Sequence, residues 1–168
     1  MRIRITFMDE YLTEGKIIMT YPDATSGSYE DGDRTITQHV IFELKNGMQL
    51  ELFDSNMFIA RDMEGKNKKI EISVPDSENG VLDSKPPEKL IREETPKPEF
   101  RHCGKFYFIQ GVVVHKTIHE NCAEDECVID FGTGYAHFSA VRGKFKAGDF
   151  VYIRPTRLDV CIPRYLRE

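Results

Sequence analysis

The chain has 168 residues and a mass of 19.4 kDa, with 23 Lys+Arg against 28 Asp+Glu and a net charge of −5. Apolar residues make up 40% and charged residues 30%, an ordinary globular mix that excludes collagen-like and wholly disordered classes. No run of 18 apolar residues occurs, so no membrane contact is expected, and the opening MRIRITFMDE lacks the apolar core of a signal peptide. Four cysteines are too sparse for a disulfide scaffold, which leads us to expect a cytoplasmic protein with reduced thiols.

The first segments read as strands. Ile3, Ile5 and Phe7 alternate with Arg2, Arg4 and Thr6, the period of a half-buried strand. Lys16 to Tyr21 is a second run. Pro22 to Asp33 is rich in Gly, Ser and Asp and reads as a long mobile loop. Val40, Phe42 and Leu44 then alternate with polar neighbours, as do Met48, Leu50 and Leu52. A two-residue Asn46-Gly47 turn would set Phe42 opposite Glu51 and mix carboxylates into the apolar face. A three-residue loop, Lys45 to Gly47, pairs Leu44 with Met48, Phe42 with Leu50 and Val40 with Leu52. That register gives one apolar face and puts Gly47 in the left-handed position of a bulge-type hairpin. Asp54 or Ser55 is placed to cap a short helical segment reaching Met63. Ile70, Ile72 and Val74 alternate as the last strand of this region.

Proline marks the middle of the chain. Five of the eight prolines fall within 75–99, at positions 75, 86, 87, 96 and 98, among seven acids and four bases. Proline removes a ladder donor and disfavours helix, so an extended, solvated linker is expected, with a short helix at Glu88–Glu93 as a weaker alternative. The flanks are then two modules, 1–74 and 100–168, each near the lower size limit for an independent core.

The second module repeats the scheme. Phe106 to Ile118 is a long β-branched and apolar run. Val128 to Phe131 and Tyr135 to Ala140 form a hairpin around Gly132-Thr133-Gly134. Gly148-Asp149 turns the chain into Phe150 to Ile153, and Leu158 to Ile162 ends it. Gly15 to Ile18 resembles Gly111 to Val114, so an internal duplication competes with chance likeness between small β modules. Three strands, a short connection and one or two further strands is the order of an OB-fold barrel. The run Lys146 to Ile153 resembles the Gly-Asp turn and strand of OB-fold, SH3-like and BAH-type barrels. That resemblance covers about ten residues; it implies a small β-barrel and transfers no site residues. The expected fold class is mainly β: two small antiparallel, OB-fold-like barrels joined by a Pro-rich linker.

Two constellations bear on function. His115, His119, Cys122 and Cys127, with His102-Cys103 upstream, offer zinc-type ligands. Their spacing is not a paired C-x₂₋₄-C motif, and an extended His115–His119 stretch separates the imidazoles by about 13 Å. An acidic hairpin loop with cysteines at its shoulders is the preferred reading, and no metal or other cofactor is expected. Cys161, between Val160 and Ile162, reads as a buried small hydrophobe. No Walker loop, dinucleotide fingerprint, nucleophile elbow or H-E-x-x-H motif is present to anchor catalysis.

Charge is distributed unevenly. Residues 1–74 carry −4, the linker −3 and residues 100–168 +2. Late bases Arg142, Lys144, Lys146, Arg154, Arg157, Arg164 and Arg167 interleave with Phe145, Phe150, Tyr152 and Tyr165. Cations for phosphate and rings for stacking are what single-stranded nucleic acid requires of a barrel face. Lys144, Tyr152, Arg154 and Arg157 are the candidate contacts, with Tyr152 and Arg154 on one strand face. The competing reading is a solvated basic face that balances the acidic half. The function expected is a non-enzymatic binding module with a single-stranded nucleic acid partner. The alternative is a protein–protein adaptor.

Overall fold

The computed structural model describes residues 11–29, 32–83, 88–95 and 105–161. The alternating segment Arg2 to Phe7, the pair His102-Cys103, and Arg164, Tyr165 and Arg167 lie outside the described residues. The described residues form eleven strands: β1 (Thr13–Tyr29), β2 (Gly32–Leu44), β3 (Gln49–Asp54), β4 (Asn67–Val74), β5 (Ser77–Val81), β6 (Leu90–Glu94), β7 (Phe106–Ile118), β8 (Glu124–Asp130), β9 (Tyr135–Val141), β10 (Phe150–Pro155) and β11 (Asp159–Cys161). A 3₁₀ turn, Arg61–Met63, precedes β4.

The mainly β expectation holds, and a five-strand barrel is closed. Strand β1 pairs β2, β2 pairs β3, β3 pairs β11, β11 pairs β4, and β4 returns to β1. The inward side chains alternate as the pleat demands: Ile17, Val40, Phe42, Leu50, Leu52, Ile70 and Ile72 are all fully buried. The hairpin register follows the apolar face argued above, with Phe42 opposite Leu50 and Val40 opposite Leu52. Gly47 has φ 85°, and the Leu44 N–H donates to the Met48 carbonyl at 2.8 Å.

The remaining strands continue from the barrel. Strand β9 lies parallel to β4, and β9, β8, β7, β10 and β5 follow in order, with β6 beside the first half of β7. One apolar cluster runs through all of it, from Ile17 and Phe42 to Ile109, Ile129, Phe138 and Ile153. Thr13 ties the chain start to β9: its hydroxyl donates to the Tyr135 carbonyl at 2.9 Å and accepts the Tyr135 N–H at 2.8 Å.

Three local expectations are corrected. Pro22 to Asp33 is not an open loop over its described part. Strands β1 and β2 stay paired as far as Tyr29 opposite Gly32, through several register shifts. Weak apolar patterning does not prevent pairing where a ribbon is continuous with a well-packed hairpin. The helix expected to reach Met63 is only the 3₁₀ turn, because Asp54 is used differently. Its buried carboxylate accepts the N–H groups of Phe58 and Ile59, each at 2.9 Å, and organises a loop rather than a helix start. The helix alternative at Glu88–Glu93 is replaced by β6, which pairs Leu90 to Glu94 with β7. Residues 77–81 are likewise a strand, paired with β10.

Candidate ligand-binding face

The outer face of β6, β7, β10 and β5 is set by register. Tyr152 lies opposite Gln110 on one side and Gly80 on the other. Arg154 lies opposite Glu78, and Arg92 opposite Phe108. Residues two apart on a strand share a face, so Tyr152, Arg154, Phe108, Gln110, Arg92 and Glu94 form one surface. Val151, Ile153, Ile109 and Ile91 point the other way, into the core.

Phe108 is the centre of this surface, and is itself only 7% exposed beneath the side chains packed on it. The Arg92 guanidinium stands 4.6 Å from its ring centroid and that of Arg154 4.9 Å. The Tyr152 ring is nearly parallel to it, at 12° and 6.1 Å between centroids, and Arg154 is 5.5 Å from Tyr152 as well. Such contacts contribute about 0.5–1 kcal/mol each at exposed sites and hold long side chains flat. Gly80 makes room for the tyrosine, since a Cβ there would stand 2.8 Å from the Tyr152 ring. Carboxylates close the arrangement. Arg154 Nε donates to Glu94 at 3.2 Å, and its Nη1 lies 3.6 Å from Glu78. Glu94 also lies 3.9 Å from Arg92.

The four sequence candidates divide. Tyr152 and Arg154 share the Phe108 face. Lys144 sits at β5, where its ammonium donates to the Asn79 carbonyl and side-chain oxygens at 2.8 and 2.7 Å. Arg157 belongs to the barrel: it lies 4.5 Å from the Phe53 ring centroid and forms a two-point pair with Asp159 at 2.7 and 3.1 Å. Phe108 and Arg92 were not singled out from sequence. Phe108 hid in a run that read as core, and Arg92 in a segment that read as linker. Period-2 counting from Ile109 puts Phe108 on the opposite strand face from Ile109, although both are buried.

A second aromatic row crosses the barrel. Tyr21, His39 and Phe53 are direct cross-strand partners. Tyr21 stacks on His39 at 5.1 Å, and His39 meets Phe53 edge-on at 5.7 Å. His39 is held between Asp23 at 2.7 Å and Glu51 at 3.4 Å. Burial, with Glu51 and Asp23 nearby, pushes the Tyr21 hydroxyl up to about 12. Tyr21 also lines an open cleft of about 470 Å³ with Pro22, Met57, Ile59, Ala60 and Arg61. Met57, at φ 55°, is a non-glycine residue in the left-handed region.

The histidines and cysteines of the acidic hairpin do not gather. His115 stacks on Tyr11, and His119 pairs with Glu126 at 3.1 Å. Cys122 is exposed and Cys127 buried, and burial pushes the Cys127 thiol up to about 11. Among the described residues no three His, Cys, Asp or Glu side chains converge as metal ligands. No helix among them is long and apolar enough to cross a membrane. Comparison with known protein families, curated proteins and solved structures finds no match to this chain.

Proposed function

We propose that the chain is a non-enzymatic binding module and that the face around Phe108 takes single-stranded nucleic acid. The observation that carries the reading is the layering of Arg92 and Arg154 on Phe108 beside a nearly parallel Tyr152. Rings and guanidinium planes both stack on bases, and the same guanidiniums reach phosphate oxygens. These groups hold a ligand rather than break its bonds. The exposed Cys122 thiol and the buried Cys127 thiol accord with a reducing, cytoplasmic setting.

A labelled oligonucleotide of about ten nucleotides, titrated at low and moderate salt, tests the reading. Binding should weaken as salt rises, because phosphate contacts release counterions. Tyr152→Ala and Phe108→Leu should weaken binding at every salt concentration, and Arg154→Ala should lower the salt slope by about one unit or less. Lys144→Ala and Arg157→Ala should matter less, since both groups are engaged away from Phe108. Absence of binding at low salt overturns the proposal. A protein-docking role would then be favoured by Ile118 and Val141, which stand 54% and 66% exposed on β7 and β9.

A further inference from the structure

Beyond the Phe108 stack, the molecule carries the aromatic row on the barrel, the cleft beside Tyr21, and the carboxylates on the Phe108 face. The row is lined by Asp23, Glu51 and Asp159 and so repels a polyanion, while nothing in the cleft selects an occupant. The carboxylates carry an inference. Arg154 is gripped from both flanks: Glu78 comes from β5, which borders β10, and Glu94 from β6, which borders β7. Both strands come from the acidic segment that separates the two halves of the sequence. Asn79, next to Glu78, accepts two hydrogen bonds from the Lys144 ammonium through neutral oxygens.

We propose that Glu78 and Glu94 form an autoinhibitory acidic clamp on the nucleic-acid face. Their carboxylates occupy the positions at the Arg154 guanidinium that a phosphate would take. A ligand must displace them, so the clamp sets the affinity and selects for polyanions that bring several phosphates at once. This rests on the reading of the Phe108 face given above. The guanidinium stays stacked on Phe108 when a carboxylate leaves, so the site is ready without rebuilding. Arg154 and Glu78 are both substantially exposed, at 42% and 60%, which makes the exchange accessible from solvent.

The test uses the full chain and the same labelled oligonucleotide. The double variant Glu78→Gln/Glu94→Gln keeps side-chain shape and removes the charge. It should bind about three- to tenfold more tightly at low salt, the range that two exposed ion pairs support, and the gain should shrink as salt rises. Adding Arg154→Ala to the double variant should abolish the gain. Glu120→Gln/Glu124→Gln is the control for net charge. These residues lie beyond the far end of β7, about 30 Å from Phe108 along the strand, and should give little gain. Binding by the parent chain that is unchanged in the Glu78/Glu94 variant overturns the clamp and leaves the site standing. An equal gain in the control pair also overturns it, because net charge alone would then explain the effect. No binding by any variant overturns the site itself, and the clamp with it.

Discussion

Gly47 sits at φ 85° with open space where a Cβ would be built, so backbone conformation alone opposes substitution. Gly47→Val should therefore destabilise by about 1–2 kcal/mol, because a β-branched residue resists the left-handed region. A denaturant melt with an unchanged midpoint would count against it. Asp125 is a different kind of residue-scale feature. The Gly143 N–H, donated at 2.8 Å, and the Lys116 ammonium at 3.3 Å hold its carboxyl below the usual range despite the opposing effect of burial. A depressed carboxyl contributes stability that is present above its unfolded value of about 3.8 and lost as pH falls through the folded value. The gap in melting temperature between the parent chain and Asp125→Asn should shrink as pH drops from about 5 toward 2. A constant gap would show that the charge is not what stabilises. Cys127 has the opposite sense: its raised thiol contributes stability below about 9 that is lost as pH rises toward about 11.

At the scale of elements, the alternating strands were legible because each buries one face. Phe106 to Ile118 and the Tyr135 hairpin arm appear close to where their patterns place them. Strands β5 and β6 were not legible, because they border other strands with mostly polar and charged side chains and their apolar content is slight. Their pairing energy comes from the ladders they join, which a local pattern does not display. The loop after β3 shows the same limit. Asp54 there is fully buried and accepts the Phe58 and Ile59 N–H groups and the Gln38 amide, the last at 2.9 Å, while Gln38 also donates to the Ile59 carbonyl at 2.6 Å. Removing that carboxylate takes away the acceptor of the buried Ile59 N–H, of the part-buried Phe58 N–H and of one of the two Gln38 amide hydrogens. Asp54→Ala should cost about 3 kcal/mol or more, well above the effect of Asp62→Ala on the neighbouring exposed turn. Chemical denaturation of the two variants compares them directly, and equal midpoints would refute the anchoring role.

At the scale of the whole molecule, closure of the barrel depends on three residues near the end of the described chain. Strand β11 fills the gap between β3 and β4, with Val160 opposite Ile72 and Asp159 beside both Phe53 and Ser73. Leu158 and Val160 are buried there. The fragment 1–74 lacks this closing strand, so its β3 and β4 edges stand open and it should show no cooperative unfolding. Val160→Ala in the full chain should cost about 1–3 kcal/mol through the cavity it leaves. A sharp melt of the isolated fragment would show instead that four strands suffice.

Sequence by itself determined that the protein is mainly β, where β7, β9, β10 and the apolar stretches of β1 and β2 run, and how the Gly47 hairpin is registered. Those properties follow from period-2 burial and turn chemistry, which act between near neighbours. It also placed Tyr152 and Arg154 on one face, since that depends on a single strand. Only the tertiary structure decided that β11 closes the barrel, that Arg157 and Lys144 lie elsewhere, and that Phe108 and Arg92 complete the face with Glu78 and Glu94 upon it. Those are pairings between strands far apart in the chain. Loop closure makes many such pairings nearly equal in cost, so the choice among them falls to the shared core that all the strands bury together.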